Sequence, residues 1–305
     1  MRALVNTANP EKPVEIREVE EPTPATNEAI VEVRAMAINR GELRLMAGRP
    51  EGWRPGQDVA GIVVRPADDG SGPAEGDRVV ALVDQAGWAE RVAAPTTRIG
   101  ILPRNVSFEA AATLPVAGLT ALRALRVGGS LLGSRVLITG AAGGVGHFAV
   151  QLASHAGAYV TAVVGRPGRG DHLGELGADE VIVGYEEYNG RFDLALESVG
   201  GMSLASCLHA MAADGTIVVF GNSAGEDTPL SFRDFRGARA RIHGFHVYGT
   251  LEPPTFGEDL GLLASLIASG DLKPQVGYEG TWQDPRPAIY ALRDREIEGK
   301  AVLRV

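Results

Sequence analysis

The chain of 305 residues is 45% hydrophobic and 22% charged, the composition of an ordinary soluble globular protein with one large or two medium-sized domains. Its net charge is −9 without any basic block, so neither nucleic acid nor an anionic membrane surface is expected as a partner. The single cysteine excludes an intrachain disulfide and a cysteine-based zinc site, and without a signal-peptide core or a long apolar stretch the protein is expected in the cytoplasm.

Short strand-like runs separated by turn residues fill residues 1–113. The runs lie at residues 14–19, 29–38, 59–64, 78–83 and 88–92. Segments rich in proline, glycine and aspartate, such as 22–24 and 68–73, separate them and are typical of chain reversals. This pattern predicts a β-rich module.

After residue 117 helix-like and strand-like segments alternate, which is typical of βαβ units around a parallel sheet. The predicted strands are residues 135–139, 159–164, 180–183, 194–197, 216–220 and 241–246. Six such strands with short helices between them predict an α/β fold with the doubly wound, six-stranded parallel sheet of a Rossmann domain. A helix capped by Thr255 and Glu258 should follow, and the strand-like residues 301–305 are expected to rejoin the first domain.

The strongest local motif is the glycine-rich segment between the first two strands of this series. A buried strand at residues 136–139 runs directly into AAGGVG at residues 141–146 and then into a helix. This is the G-x-G-x-x-G dinucleotide-binding pattern with alanine at its first position, in the strand–turn–helix context that the pattern requires. The predicted cofactor-binding residues here are Ala142, Gly143, Gly144, Val145 and Gly146; the alternative is a plain glycine-rich turn.

The end of the second strand of the series indicates which nucleotide is bound. NAD-binding proteins place a carboxylate there for the ribose 2′-hydroxyl, whereas this chain has Gly165, followed by Arg166 and Arg169, and no carboxylate before Asp171. Two guanidinium groups can bind a 2′-phosphate by charge-assisted hydrogen bonds. The sequence therefore favours NADPH, and the alternative is two solvated surface arginines.

Residues 221–225 read GNSAG directly after a predicted strand, the G-x-S-x-G pattern of a serine-hydrolase nucleophile. A hydrolase would need a helix immediately after Ser223, and the sequence EDTP at 226–229 does not predict one. The only downstream histidines are His243 and His246, close to the serine in sequence. A cofactor-binding loop is therefore preferred to a nucleophile.

A series of short motifs extends over nearly the whole chain. They are AINRGE at 37–42, PGQDVAG at 55–61, EGDRV at 75–79, GWAE at 87–90, LPVAGLTA at 114–121, AAGGVG at 141–146, LGAD at 176–179, ESVGG at 197–201 and GKAVL at 299–303. Together they resemble the zinc-independent medium-chain dehydrogenases/reductases, specifically the quinone oxidoreductase or ζ-crystallin-like branch.

The resemblance implies a GroES-like substrate and catalytic domain at residues 1–115 and 272–305, a Rossmann NADP(H)-binding domain at 116–271, and a nicotinamide in the cleft between them. Matched family positions near the cofactor are Asn39, Thr120, Gly221, Asn222, Ser223 and Phe245, and Tyr185 lies one residue from a family tyrosine that contacts the 2′-phosphate. For Asn39 the alternative is an ordinary turn residue or helix N-cap.

Two departures from the family pattern affect the expected chemistry. The cysteine and histidine zinc ligands of metal-using relatives are missing, so no metal is expected. Quinone oxidoreductases often carry a tyrosine two residues after the acidic residue near Asn39, but here Glu42 is followed by Leu43 and Arg44. Arg44 is left as the candidate contact for substrate or a developing oxyanion.

The sequence thus predicts an NADPH-dependent reductase that transfers hydride to a quinone or an α,β-unsaturated carbonyl without a metal. The candidate catalytic residues are Asn39, Arg44 and Tyr248. The alternatives are a pathway-specific enoyl-thioester reductase and a non-catalytic NADPH-binding protein on the same scaffold. The expected partner is a small electrophilic molecule, and the resemblance allows a homodimer through an edge strand at residues 241–247.

Overall fold

A computed structural model describes residues 1–185, 188–250 and 253–305. The chain forms two compact units, the first comprising Met1–Leu119 and Leu251–Val305 and the second Thr120–Thr250. No helix in these described ranges is long and apolar enough to cross a membrane.

The elements follow one another in an order that separates a strand-rich start from an alternating middle. The strands are β1 (Arg2–Asn6), β2 (Val14–Glu18), β3 (Glu28–Ile38), β4 (Asp58–Arg65), β5 (Arg78–Leu82), β6 (Arg91–Pro95), β7 (Ile99–Ile101), β8 (Arg135–Thr139), β9 (Tyr159–Val164), β10 (Glu180–Val183), β11 (Phe192–Glu197), β12 (Met211–Val219), β13 (Arg241–Gly244), β14 (Val276–Thr281) and β15 (Lys300–Arg304). The α-helices are α1 (Arg40–Ala47), α2 (Phe108–Ala112), α3 (Leu119–Val127), α4 (Gly144–His155), α5 (Met202–His209), α6 (Phe232–Ala238), α7 (Phe256–Ser269) and α8 (Arg286–Arg293).

The first unit is built on a sheet in the order β14-β15-β3-β4-β5-β7, with β6 paired to β3 and a separate β1-β2 hairpin. The pairs are antiparallel except β14 with β15. Its core contains both fully buried tryptophans, Trp88 and Trp282. Because β15 pairs with β3, the carboxyl-terminal strand belongs to the sheet of this unit.

The second unit is built on a parallel sheet in the order β10-β9-β8-β11-β12-β13. Its central strands are apolar and buried, as expected when helices cover a parallel sheet. The strand order reverses between β8 and β11, and ligands of such sheets bind at the carboxyl ends of the strands on either side of that reversal. The predicted Rossmann fold is confirmed.

The strand bounds differ from the sequence prediction at several places. The predicted strand 88–92 is observed at Arg91–Pro95, because Ala89 makes only an isolated bridge to Ala3 while the Trp88 indole donates to the Ala37 carbonyl. The strand predicted at 216–220 begins earlier, at Met211, which pairs with Phe192. Strands β1, β7 and β14 were not predicted from the sequence. Strand β7 has only three residues, and its central Gly100 lies against Leu260 of α7.

The segment between β9 and β10 contains turns where the sequence predicts a short helix. Gly168, Gly170 and Gly177 adopt positive φ angles there, which a right-handed helix cannot contain. The predicted capping of α7 is observed, with the Thr255 side chain accepting from the Glu258 N–H and the Glu258 carboxylate accepting from the Thr255 N–H.

Candidate functional site

The glycine-rich turn after β8 brings the amino-terminal end of α4 to the reversal point of the sheet. Gly140 turns the chain at φ 61°, and Gly143 is the N-cap residue of α4. A Cβ at Gly146 would lie 2.5 Å from the Gly140 carbonyl oxygen and 2.6 Å from the Ala141 Cα, so only glycine allows this packing of helix against turn. The first N–H groups of a helix have no intrahelical acceptor, and they form a ready site for a phosphate.

Glu197 ends β11 and is fully buried beside this turn. Its carboxylate accepts hydrogen bonds from the N–H groups of Val199 (2.9 Å) and Gly200 (3.1 Å) and from the hydroxyls of Ser203 (2.9 Å) and Thr139 (3.2 Å). Burial raises the pKa of Glu197 despite these four donors, each of which lowers it. The residue therefore organises the loop after β11 and joins it to the end of β8.

The loop at residues 221–226 folds back onto the loop that follows β11. The N–H of Ser223 donates to the Ser198 carbonyl (3.0 Å) and the N–H of Ala224 donates to the Val199 carbonyl (2.8 Å). The Asn222 side chain lies over Gly200, accepts from the Gly225 N–H (2.9 Å) and donates to the Glu226 carbonyl (3.2 Å). Asn222 thus shapes the loop itself.

The structure contradicts the hypothesis that Ser223 in the GNSAG segment is the nucleophile of a serine hydrolase. No helix follows Ser223 directly, since the next helix, α6, begins only at Phe232. A nucleophile elbow requires a strand–turn–helix arrangement around the serine. Ser223 therefore lies in an extended loop beside the reversal point of the sheet.

Gly165, directly after β9, lies against the side chain of Tyr185. An ideal Cβ on Gly165 would lie 3.0 Å from the Tyr185 hydroxyl, so the tyrosine ring covers this glycine. Arg166 is exposed and Arg169 half-buried in the turn that follows, and the Arg169 N–H lies 3.4 Å from the Arg166 carbonyl. The predicted nucleotide-selecting residues therefore share one region of the second unit.

Thr120 and the segment after β13 occupy another part of the second unit. Thr120 and Phe245 are buried, and the Phe245 N–H donates to the Val219 carbonyl at 2.8 Å.

Arg123, one helical turn after Thr120, is a buried charge on α3. It donates to the carbonyl and, at 3.1 Å, the hydroxyl of Thr250. It thereby fixes the short helical turn Val247–Gly249, which carries Tyr248. Arg123 was not among the site residues predicted from the sequence.

Asn39 lies in the first unit, at the N-cap of α1, and its side chain enters a buried polar network. Its amide nitrogen donates to Asp58 Oδ2 (2.9 Å) and to Glu42 Oε2 (3.1 Å), and its amide oxygen accepts from Lys300 Nζ. Lys300 also donates to Asp58 Oδ2 at 2.8 Å. We call these four residues the Asn39 network.

The three charged members of the Asn39 network are almost completely shielded from solvent, whereas Asn39 itself is half-buried. Glu42 and Asp58 are 0% exposed and Lys300 is 4% exposed. Burial, and then the negative charge of Asp58, raise the pKa of Glu42 to about 8, against the lowering effects of Asn39 and Lys300. Arg44 on the same helix is exposed.

The remaining residues of the Asn39 network were not predicted as site residues from the sequence. Glu42 ends the AINRGE motif, and Asp58 and Lys300 lie inside the PGQDVAG and GKAVL motifs. Their signal is a charged residue at the start of an otherwise apolar strand: Asp58 begins β4 and Lys300 begins β15. Within the described ranges, no group of three or more histidine, cysteine or acidic side chains is arranged to hold a metal ion.

Comparison with known proteins identifies relatives of both parts of the chain. Residues 25–117 match the alcohol dehydrogenase GroES-like domain and residues 144–265 match the zinc-binding dehydrogenase family. The chain is 35% identical to the chloroplast envelope quinone oxidoreductase homolog of Arabidopsis thaliana, over 62% of this chain and 60% of that protein's length. It is 29% identical to 2-methylene-furan-3-one reductase of Solanum lycopersicum, over 91% of this chain and 71% of that protein.

A solved structure resembles the whole chain. The quinone oxidoreductase from Thermus thermophilus, determined also as its complex with NADPH, is 31% identical with a TM-score of 0.84, and the match covers 100% of both chains.

Proposed function

Since this chain belongs to the zinc-independent medium-chain dehydrogenase/reductase family, we propose that it is an NADPH-dependent reductase that transfers hydride to a quinone or an α,β-unsaturated carbonyl compound without a metal. The observation that carries the proposal is the glycine-rich turn at the reversal point of the parallel sheet, followed along the chain by an arginine-bearing turn after β9. Together they provide both parts of a phosphorylated dinucleotide site.

The described residues fit the diphosphate of a dinucleotide. Gly143 and Gly146 keep Cβ atoms out of the turn, and the amino-terminal end of α4 offers N–H groups and a positive dipole end to an anion. Ala142, Gly144 and Val145 complete the same turn. These residues would hold the diphosphate of NADPH.

The residues that follow β9 fit a 2′-phosphate. This segment carries Gly165, Arg166 and Arg169, with no carboxylate before Asp171 to repel a phosphate, and Tyr185 covers Gly165. Arginine binds phosphate through paired N–H donors and keeps its charge at every physiological pH. The Thermus relative, solved with NADPH, supports the same choice of nucleotide.

NADPH, when bound, supplies the hydride. The protein's part is to hold the acceptor in the reactive geometry and to stabilise the negative charge that develops on its oxygen. Asn39, Arg44 and Tyr248 are the proposed contacts for that task. Thr120, the 221–223 segment and Phe245 are the proposed contacts of the nicotinamide half of the cofactor.

The names of two relatives support the acceptor class. One is a quinone oxidoreductase homolog, and the other reduces 2-methylene-furan-3-one, in which a carbon–carbon double bond is conjugated to a carbonyl. Both acceptors have an electrophilic centre joined through conjugation to a carbonyl oxygen. An enoyl thioester has the same feature, so a pathway-specific enoyl-thioester reductase is the second candidate.

The test is a panel of acceptors mixed with the protein and NADPH, followed by the loss of reduced-nicotinamide absorbance. The panel contains 1,4-benzoquinone, a simple 2-enone and an enoyl thioester, each also tested with NADH. Saturable oxidation of NADPH with a quinone or enone supports the proposal, and preference for the thioester selects the second candidate. Tight NADPH binding with no turnover on any acceptor would leave a non-catalytic binding protein and contradict the proposed activity.

A homodimer through the edge strand β13 belongs to the same proposal. This strand ends the parallel sheet, pairs on one side with β12 and has all four residues exposed, which supports an interface at this edge. Sedimentation of the full chain tests it, because a monomer at micromolar concentration would contradict the dimer.

A cytoplasmic location is the expectation that accompanies an NADPH-dependent reductase of small molecules. Fractionation of the source cells, followed by immunoblotting for the chain, tests it. Recovery of the protein outside the cytoplasmic fraction would contradict this expectation without affecting the proposed chemistry.

A further inference from the structure

The two carboxyl oxygens of Glu42 differ in their hydrogen bonds. Glu42 Oε2 accepts from the Asn39 backbone N–H at 2.8 Å and from the Asn39 amide at 3.1 Å. Glu42 Oε1 is buried and has no hydrogen-bond partner among the residues that the structure describes. A buried carboxylate oxygen without a donor is costly, whereas a protonated carboxyl group can be buried at far lower cost.

The donors of the network converge on Asp58 instead. Asp58 Oδ2 receives Lys300 Nζ and the Asn39 amide, and Asp58 Oδ1 receives the Val116 N–H at 2.9 Å. Asp58 therefore accepts hydrogen bonds from three donors. One of them is Lys300, the only cation of the network, whose Nζ lies 2.8 Å from Asp58 Oδ2. Glu42 has two donors, both from Asn39, and both on the same oxygen.

The two carboxyl groups are close neighbours, because one nitrogen, Asn39 Nδ2, donates to both within 3.1 Å. Two buried carboxylates that share a single cation cannot both ionise easily. The donors are unevenly distributed between the two groups: Asp58 is paired with Lys300, whereas both donors that reach Glu42 come from Asn39.

We propose that Glu42 is a neutral positioning residue, a carboxylic acid protonated on Oε1, which orients the Asn39 amide between Asp58 and Lys300. With Glu42 neutral, Lys300 and Asp58 form a balanced ion pair, and Asn39 uses both amide hydrogens and its oxygen inside the network. Ionisation of Glu42 would add an uncompensated negative charge there and compete with Asp58 for Lys300. The resulting effect on turnover rests on the proposed function, in which Asn39 contacts the acceptor.

The charged groups around Glu42 come from few elements. Strand β4 contributes Asp58 and β15 contributes Lys300. The arginines of α1 and of the neighbouring α8 are exposed: Arg40, Arg44, Arg286 and Arg293. Besides burial, the protonation of Glu42 therefore depends on two charged groups, Asp58 and Lys300.

Infrared difference spectroscopy of the apoprotein tests the proposal without any assay of activity. At neutral pH, wild type minus Glu42→Gln should show the carbonyl-stretch band of a protonated carboxylic acid. The matched control is Glu258→Gln, because Glu258 occupies the same capping position in α7 but is exposed, and hydrogen bonds with Thr255 lower its pKa. A difference spectrum for Glu42→Gln with only carboxylate bands would overturn the proposal.

Kinetics with NADPH and the best acceptor test the positioning role. Wild type and Glu258→Gln should lose kcat as pH rises through about 8, where Glu42 ionises, and Glu42→Gln should not show that decline. Glu42→Ala should lower kcat at neutral pH, and Glu42→Gln should recover most of the loss. An unchanged alkaline limb in Glu42→Gln would contradict the positioning role, while absent turnover in every variant would count against the proposed function and leave the infrared result standing.

Discussion

Thr139 and Glu197 are the last residues of the neighbouring strands β8 and β11, and a hydrogen bond from the Thr139 hydroxyl to Glu197 Oε1 joins them at 3.2 Å. The Thr139 hydroxyl also accepts from the Ser198 N–H at 3.0 Å. The glycine-rich turn and the loop after β11 therefore share one buried polar junction at the reversal point of the sheet.

Replacing Glu197 by alanine should weaken NADPH binding at least tenfold and destabilise the fold. The variant leaves the N–H groups of Val199 and Gly200 and the Ser203 hydroxyl without their buried acceptor, at a cost of about 1–3 kcal/mol for each unsatisfied group. Fluorescence titration with NADPH and urea unfolding measure the two effects.

The control for this prediction lies on the same strand. Asp193, near the other end of β11, is exposed and accepts a hydrogen bond from the Arg135 N–H at 2.8 Å. Asp193→Ala should lower stability without changing NADPH affinity. Equal losses of affinity in both variants would show that Glu197 acts through general stability and not through the loop.

Gly146→Ala should disrupt the turn between β8 and α4. The new Cβ would lie 2.5 Å from the Gly140 carbonyl oxygen, and backbone must move to relieve the contact, at a cost of about 1–3 kcal/mol. The matched control is Gly261→Ala in α7, where the Cβ meets no atom within 4 Å and a gain of roughly 0.5–1 kcal/mol is expected. Thermal unfolding and NADPH titration of both variants test these expectations. A Gly146→Ala protein with the stability and NADPH affinity of the wild type would contradict the tight packing.

The double variant Arg166→Ala/Arg169→Ala should bind NADPH more weakly while its affinity for NADH stays the same. Each guanidinium lost from a 2′-phosphate removes a charge-assisted hydrogen bond, about 1.5–3 kcal/mol, and NADH has no phosphate at that position. Arg65→Ala, which removes an exposed arginine paired with Asp68, is the control for the change in charge. If both nucleotides lost affinity equally, the arginines would not select the 2′-phosphate.

The raised pKa of Glu42 should make the stability of the wild type depend on pH. Between its ordinary value of 4.5 and the folded value of about 8, the folded protein keeps a proton that the unfolded chain has released. Stability should therefore decrease as pH rises through this window. The glutamine in Glu42→Gln cannot titrate, so the melting temperature of this variant relative to wild type should rise from pH 5 to pH 8. A difference in melting temperature that stays constant over this range would contradict a protonated Glu42.

The Rossmann unit was predictable from sequence because its strands are short apolar runs bounded by glycine or charged residues. The predictions for residues 135–139, 159–164 and 180–183 agree with β8, β9 and β10. Strand β7 escaped prediction because three residues centred on Gly100 carry no periodic signal, and it is held by pairing with β5 and by contact with α7.

The glycine-rich turn could also be located from sequence, since backbone geometry alone dictates its glycines. The Asn39 network could not, because its members lie up to 261 positions apart and only the pairing of β15 with β3 and of β3 with β4 brings them together. The protonation of Glu42 could not be predicted from the sequence either, because it depends on how many donors reach each carboxyl group after folding.

Hydride transfer itself is tested most directly with NADPH deuterated at C4 of the nicotinamide. The protein is incubated with each C4 epimer and a 2-enone, and the product is analysed by mass spectrometry and NMR. Direct hydride transfer predicts deuterium at the β-carbon of the saturated ketone from one epimer and none from the other. Consumption of the enone without deuterium in the product from either epimer, or no consumption of any acceptor by NADPH-saturated protein, would contradict it.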